Sequence, residues 1–589
     1  MPFDAQKLAE ELDTFGITVD DSDLLDKLQE LCIVHGLTEE KMAEEWMAFS
    51  YNKGLELCVD TLERFDHEHL TKRSNSRTPT QNKVFQDANT LSDFIAAEDE
   101  EDDLMESYTT PAKASQKRRL TTPENPHSKR ILSQSSHLSP SSFSPSTTPS
   151  QKYSSRKNPG EVVATFGSEP SGTSGQAPVR VHVFSRPGEE PLSQTYLHMF
   201  QKLHDMREVF SQQIEDLGQQ LQAHYNVEEL TSVTNSVQST VTVVGRVCCD
   251  CNGKLNAKSV LLQGDLDISA GLATPLDLSQ IPEFSLFPGQ VAMLDGLNPT
   301  GKKFVASKLY EAVPLPFYCP EPEEEENISD GSVTMLVACG PFSTSDSINY
   351  EPLCDLITVI NRERPQVCLL MGPFVDAKHE HVEKCQLKET FAELFANTIR
   401  LLVERTQSSG SRLVIVPSLR DVHHCCIYPQ PPFTRPDFLK DLQRVTFVSE
   451  PCTLNVNGVV VGVTSTDILF HMSSEEISPP GGVDRFTRLV KHLLTQRSYY
   501  PLYPPAEEMN VNYETAQVHA RFPVTPDVLI IPSDLRYFVK TACGCVCINP
   551  GRLTKGHVGG TFARIALGRV PSTGPNRVSP CLSAQIIKI

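Results

Sequence analysis

Five unbroken apolar runs in the second half of the chain constrain its fold more than any other feature. They are Val333-Thr-Met-Leu-Val-Ala, Val367-Cys-Leu-Leu-Met, Leu413-Val-Ile-Val, Val459-Val-Val-Gly-Val-Thr and Asp527-Val-Leu-Ile-Ile. A strand with one wet face alternates apolar and polar residues. A run without that alternation suits a strand buried on both faces. Helical stretches separate the runs, so a layered α/β domain is expected from residue 333 onward. The first three runs lead into short loops: Cys339-Gly340-Pro341-Phe342, Gly372-Pro373-Phe374-Val375-Asp376 and Ser418-Leu419-Arg420-Asp421.

Upstream, residues 160–315 read differently. Leu192 to Tyr225 has apolar residues at helical spacing, among them Phe200, Leu203, Met206, Phe210, Ile214, Leu217 and Leu221. Strand-like runs begin at Val241, Ser259, Gln290 and Lys303, with turn signals at Pro288-Gly289 and Asn298-Pro299-Thr300-Gly301. Short strands with this punctuation suggest a small barrel of the OB type. Such a barrel binds single strands through exposed aromatics on a basic face. Here the strands are mainly Val, Leu and Ala. Phe304 and Tyr310 are the few stacking candidates, and a place in the core or a protein contact suits them as well.

Residues 1–70 read as a small helical module. Leu24, Leu25, Leu28 and Leu31 mark one face, Thr38 is a candidate N-cap before Met42, Trp46 and Phe49, and a third helix spans about 54–65. The module carries 18 acidic against 5 basic residues. That suits either a solvated surface or a docking module for basic partners. From about residue 75 Ser, Thr and Pro dominate and apolar periodicity stops. Such a segment buries too little apolar surface to offset its ordering entropy, and disorder is expected. Thr78, Thr110, Thr122, Ser139, Ser144 and Thr148 each precede a proline. Thr110-Pro111-Ala112-Lys113 matches the full pattern preferred by cyclin-dependent kinases, and phosphate there would add nearly two negative charges. Lys117-Arg118-Arg119 and Lys129-Arg130 are spaced like a bipartite nuclear import signal, or are incidental basic residues.

The formal net charge of −21 argues against broad nucleic-acid binding, which needs a Lys/Arg surface. The 17 cysteines are scattered, many within apolar runs, as buried thiols of a reducing compartment would be. No apolar stretch approaches membrane-spanning length and no secretory signal is visible, so an intracellular, soluble chain is expected. His379-Glu380-His381 and His423-His424 lack zinc-site spacing and read as surface or loop residues. Cys248-Cys249-x-Cys251 and Cys543-x-Cys545-x-Cys547 read as buried thiols, the last three on one strand face. Gly551 to Gly560 resembles a phosphate loop only loosely, without a Gly-Lys-Ser/Thr ending.

Further segments give these features an order: Tyr153-Ser-Ser-Arg-Lys-Asn-Pro-Gly-Glu-Val-Val, Phe287-Pro-Gly-Gln-Val-Ala-Met-Leu-Asp-Gly-Leu-Asn-Pro-Thr-Gly, Val337-Ala-Cys-Gly-Pro-Phe, Leu370-Met-Gly-Pro-Phe-Val-Asp and Pro417-Ser-Leu-Arg-Asp-Val-His-His. In that order and spacing, nearly the whole chain resembles the B-subunit family of replicative DNA polymerases, including those that work in one assembly with primase. The resemblance implies a multidomain α+β chain: a helical N-terminal interaction domain (1–72), a disordered linker (73–158), an OB-fold domain with a helical insertion (159–316), an acidic connector (317–332) and a catalytically inactive, calcineurin-like phosphoesterase domain (333–589). It implies a nuclear, non-catalytic accessory subunit without a cofactor. The expected partners are the C-terminal domain of the polymerase catalytic subunit, the primase subunits mostly indirectly, initiation or replisome proteins through the N-terminal domain, and a cyclin-dependent kinase. Little direct nucleic-acid contact and no membrane contact are implied.

Active two-metal relatives carry Asp-x-His, Gly-Asp-x-x-Asp and Gly-Asn-His-Asp/Glu in the three strand-end loops. The matching positions here are Gly340 and Phe342, then Pro373 and Asp376, then Leu419, Arg420 and Asp421. Gly, Pro, Phe and Leu side chains cannot ligate a cation, and a cation pair needs a bridging carboxylate. Two other readings stay open. One is a residual phosphoesterase or nuclease that assembles Asp376, Asp421, His423 and His471. The other is a single-strand-binding adaptor acting through the OB-fold.

Overall fold

The computed structural model describes residues 152–167, 179–193, 196, 198–251, 253–320, 332–439, 443–479, 483–568 and 582–589, with ten helical positions between Leu24 and Phe65. The chain divides into two units, residues 1–150 and 151–589. In the first, Leu28, Leu31, Cys32, Met42, Trp46, Leu62 and Phe65 are buried. The Trp46 ring meets Phe65 edge-on, 5.3 Å between centroids. These are the periodic apolar positions of the expected helices. Thr78, Thr110, Thr122, Ser139, Ser144 and Thr148, and the basic residues Lys117, Arg118, Arg119, Lys129 and Arg130, lie outside the described residues.

In the second unit the unbroken apolar runs become strands of two sheets. One has seven strands in the order β1 (Val162–Phe166), β22 (Leu582–Lys588), β21 (Thr561–Leu567), β8 (Val333–Cys339), β9 (Val367–Met371), β10 (Arg412–Val416), β12 (Val445–Phe447). Strands β8, β9, β10 and β12 are parallel, and β21, β22 and β1 close one side antiparallel. The other has six, in the order β17 (Phe538–Ala542), β18 (Cys545–Asn549), β16 (Val528–Ile530), β14 (Val459–Val463), β13 (Cys452–Val456), β2 (Val181–Val183).

Burial on both faces has a simple cause. Along β8, Met335, Val337 and Cys339 meet Val461, Val463, Val528 and Ile530 of the second sheet. The alternate residues Leu336 and Ala338 pack with Leu353, Leu356 and Ile360 of α2 (Glu351–Glu363) and Ile399 and Leu402 of α4 (Phe391–Arg405); the short α3 (Glu380–Glu383) lies between these helices in sequence. The outer face of the second sheet, with Leu529, Cys545 and Cys547, is covered by α5 (Ile468–Glu475) and α6 (Arg485–Gln496). The order is therefore helices, sheet, sheet, helices. Two short strand pairs, β11 (Ile427–Tyr428) with β15 (Asn510–Val511) and β19 (Thr554–Lys555) with β20 (Val558–Gly559), lie outside both sheets.

The expected barrel is present and closed: β3 (Val237–Cys249), β4 (Val260–Gln263), β5 (Ala273–Asp277), β7 (Phe304–Leu309) and β6 (Val291–Asn298). The helix α1 (Leu203–Tyr225) packs Ile214, Leu217 and Leu221 on Val244, Val291 and Met293 of its wall. Several expectations need correction. The long helix starts at Leu203, not Leu192, because the preceding segment is held by tertiary hydrogen bonds. Tyr196 donates to the Pro429 carbonyl, and Gln201 accepts from the Tyr513 amide at 2.5 Å. Residues 162–166 and 181–183, expected in the barrel domain, pair instead with β22 and β13 of the layered sheets. The expected linker end at 158 is too late, since Tyr153 is buried and its hydroxyl donates to Asp355 at 2.7 Å.

Barrel and layers share buried hydrogen bonds. The Gln496 side chain, at the end of α6, accepts from the Val291 amide at 2.8 Å and donates to its carbonyl at 3.0 Å. The Arg246 guanidinium lies 5.8 Å over the Tyr503 ring, and the Tyr503 amide donates to the Pro288 carbonyl. Gln496→Leu orphans one buried donor and one acceptor, and is expected to destabilise the unit by about 2 kcal/mol. Urea melts of parent and variant would read the difference; superimposable curves would refute the joint.

Candidate functional site

The three loops singled out from the sequence meet at the carboxyl ends of the adjacent parallel strands β8, β9 and β10. The Gly340 amide donates to the Met371 carbonyl and the Gly372 amide to the Val416 carbonyl. The approach is close enough to require glycine: a Cβ would lie 2.2 Å from the Pro373 carbonyl oxygen at Gly340, and 2.2 Å from Asp421 Oδ2 at Gly372. Phe342 is fully buried and stacks on Phe374, 4.8 Å between centroids, in the helix-side core. Leu419 packs toward the other outer core.

The two surviving carboxylates are engaged by the protein itself. Asp421 is buried and accepts from three backbone amides, Phe374 at 2.6 Å, Val375 at 3.0 Å and Ser418 at 3.1 Å. Burial pushes its carboxyl up to about 7, against the pull of those amides. Asp376 takes Arg420 in a fork, Nε to Oδ1 at 3.1 Å and Nη2 to Oδ2, and also accepts from the Lys378 amide. Burial works against the Arg420 charge, but Asp376 and Asp534 outweigh it and its pKa is raised.

A second charged group at the same strand ends was not singled out from the sequence. Arg552 is 3% exposed. Its Nε lies 3.3 Å from Asp534 Oδ1, its Nη2 3.6 Å from Asp467 Oδ2, and its Nη1 2.9 Å from Cys339 Sγ and 3.5 Å from the Ser465 carbonyl. Lys555 Nζ donates to the Asp534 carbonyl at 2.8 Å. Asp467 also caps α5 and accepts from Ser533 Oγ and the Asp534 amide, both at 2.6 Å. Burial would raise the Asp534 carboxyl, but Arg552, Arg420 and Lys555 hold it below its ordinary value. The missed signal was simple: Asp467, Asp534 and Arg552 are the first charged residues after β14, β16 and β18.

The histidines take other places. His423 stacks on Phe433 and lies against Phe395, with both ring nitrogens buried and without hydrogen-bond partners; burial pulls it down to about 4. His379, expected at the surface, is buried as the cap of α3. His471 bridges Tyr500 and Glu508 at 3.1 and 3.0 Å. The structure therefore does not bring Asp376, Asp421, His423 and His471 together as one ligand set. Among the described residues, the one group that gathers three candidate ligand atoms is Cys249, Asp250 and Cys251. Cys251 there is exposed, not buried as expected, while Cys545 and Cys547 are buried on one strand face and Cys543 sits in the preceding turn. In the barrel, Phe304 is core, and the Tyr310 ring carries Lys308 at 3.9 Å while its hydroxyl donates to Asp295. Neither offers a free stacking face. No helix among the described residues is long and apolar enough to cross a membrane.

Three family models match the chain: the B subunit of DNA polymerase alpha/epsilon over residues 335–540, the OB domain of the DNA polymerase alpha B subunit over 207–312, and the N-terminal region of the DNA polymerase alpha B subunit over 6–72. The DNA polymerase alpha B subunit of Mus musculus is 51% identical over 606 residues, covering 100% of both chains. That of Bos taurus is 52% identical over 557 residues, 92% of this chain and 91% of the relative. That of Schizosaccharomyces pombe is 33% identical over 393 residues, 63% and 68% of the two chains.

Proposed function

The chain belongs to the family of DNA polymerase alpha B subunits, accessory subunits of a replicative polymerase, and on that premise we propose that it is the non-catalytic scaffold of a polymerase alpha–primase assembly. In this reading the barrel and the layered unit grip the C-terminal domain of the catalytic subunit, and primase is reached mostly through that subunit. Residues 1–72 form a docking domain for initiation or replisome proteins, carried on the Ser/Thr-Pro segment as a tether. A flexible chain of that length reaches on the order of 50 Å, which raises the local concentration of whatever the domain captures. Cyclin-dependent phosphorylation at Thr110 and the other Ser/Thr-Pro sites would alter that capture, and Lys117 to Arg119 with Lys129 and Arg130 would direct the chain to the nucleus.

We read the layered unit as a phosphoesterase-like domain without catalysis. Two sheets between two helix layers, with three loops gathered at the ends of parallel strands, support that architecture. Two metal ions do not fit the residues present. Phe342 fills one ligand position with a stacked ring, Asp376 is taken by Arg420, and Asp421 is saturated by backbone amides. The observation that carries the reading is this internal engagement of Asp376 and Asp421, the two carboxylates left at the strand-end motif positions. The shared hydrogen bonds at Val291 and Pro288 suit a rigid grip on a partner.

The test is the mass of the full chain co-expressed with the C-terminal segment of a polymerase alpha catalytic subunit, by light scattering after size exclusion. A stable 1:1 complex is expected. Two monomeric peaks would overturn the assignment of the partner.

A further inference from the structure

We propose that Cys249, Asp250 and Cys251, at the end of the barrel strand β3, form a zinc site. The two sulfurs lie 3.7 Å apart, and one ligand atom from each of the three residues falls within 4.8 Å of the others. Zinc–thiolate bonds of about 2.3 Å at a tetrahedral angle hold two sulfurs about 3.8 Å apart, so the pair already stands at the separation the ion imposes. Strand geometry accounts for the set. β3 ends at Cys249, and its period of two sends Cys248 to the other face, where its sulfur lies 3.7 Å from Gln263 Oε1. The chain then bends at Asp250 and Cys251, and the carboxylate and second sulfur gather beside the first.

Three features favour a cation over a chance contact of thiols. The first is the donor set. Two soft sulfurs and one carboxylate oxygen are ligands that zinc takes together, whereas magnesium and calcium take oxygens alone. The second is hydrogen bonding. Cys251 shares side-chain hydrogen bonds with both Cys249 and Asp250, and its sulfur takes a backbone hydrogen bond at Gly253. An ion replaces the protons shared among the donors, and the Gly253 bond is an outer-shell contact of the kind that orients a ligating group. The third is access. Asp250 and Cys251 are exposed and Cys249 is partly buried. The side chains can turn onto an arriving ion, water fills the fourth position, and solvent screens the one negative charge that three anionic donors leave uncompensated. Cys545 and Cys547 supply the contrast. Their sulfurs are 3.8 Å apart, but both are buried, and among the described residues no third ligand atom joins them. Bound zinc would close the start of the turn from β3 to β4, where the Asp250 amide donates to the Ser259 carbonyl at 2.9 Å.

The experiment uses the full chain, kept reduced with a phosphine and stripped of metal, then titrated with Co²⁺ as a spectroscopic probe and with Zn²⁺ after it. One equivalent of Co²⁺ should bring up a thiolate-to-cobalt charge-transfer band and the strong visible absorption of tetrahedral cobalt, and Zn²⁺ should bleach both. Loss of an outer-shell partner costs a site about 10–100-fold in affinity, so loss of a ligand should cost at least about 100-fold. Cys251→Ser is expected to weaken Zn²⁺ binding by that factor and to remove the bands. The metal-free variant should melt with the parent, because Cys251 is exposed. Asp250→Asn should weaken binding at least ~10-fold yet keep the charge-transfer band, since both thiolates remain. No uptake by the parent, or the same uptake and bands in Cys251→Ser, would overturn the proposal.

Discussion

Removing residues 582–589 is expected to abolish the folded state of the layered unit. Strand β22 is interior to its sheet, paired with β21 along seven residues and with β1 on its other side. Ala584, Ile586, Ile587 and Ile589 are buried there. Three buried isoleucines alone represent roughly 5–8 kcal/mol of lost burial, and a domain's whole stability is about 5–15 kcal/mol. Deletion also strips the partner from β1 and leaves the apolar β21 as an open edge, a template for aggregation. Soluble yield and the thermal unfolding transition would be compared with the parent. A soluble product with the parent's melting temperature would show that the sheet does not depend on β22.

Asp421→Ala is expected to be nearly as damaging. It strips the acceptor from three buried backbone amides, each costing about 1–3 kcal/mol to leave unpaired. Asp421→Asn should be milder but still harmful, because one carboxylate oxygen becomes an NH₂ group facing donors. The substitution also changes the response to pH. Burial raises Asp421 and Glu450 to about 7 in the folded protein. Between their unfolded values near 4 and that point, the folded chain holds protons that the unfolded chain lacks. Their contribution to stability therefore falls as pH rises from about 4 to 7. His423 and His492 run the other way. Burial lowers both to about 4, so the unfolded chain takes up protons first and stability falls as pH drops from about 6.5 to 4. Two carboxyls oppose two imidazoles across one window, and the parent should be nearly flat between pH 4.5 and 6.5. With Asp421→Asn the imidazoles dominate and stability should decline on acidification. With His423→Phe, which suits the surrounding Phe395 and Phe433 rings, it should rise. Urea midpoints at pH 5 and 6.5 give the slopes, and three identical slopes would refute the balance.

What could be read from the sequence was what short-range chemistry controls. The apolar runs at 333, 367, 413, 459 and 527 gave strands buried on two faces because every residue in them has a core to enter. Four of the five barrel strands were visible. The fifth, β5, contains Pro275, which argues against a strand when read locally. The pairings of β1 with β22 and of β2 with β13 join segments hundreds of residues apart, and no periodicity records them. The candidate loops were found as loops, with Arg420 and Asp376 at the right place to meet. Arg552 was passed over within a glycine-rich stretch that drew attention to phosphate binding. Its partners come from segments about 20, 85 and more than 200 residues away, and only the folded sheets bring them together.

The pairing of Val162 with Ile587 has a consequence for synthesis. A ribosome makes β1 more than four hundred residues before it makes the strand that β1 needs. During that interval β1 has no hydrogen-bond partner in its own sheet, and β21 emerges before either side of β22 is filled. Residues 1–150 are a separate unit and are made before any strand of the layered sheets. A chain cut short by a premature stop or a nick would thus carry that first unit on an unfinished body. On the docking role proposed above, such a fragment would occupy partners without a completed layered unit, which makes prompt removal of incomplete chains matter more here than in a protein whose parts mature in step.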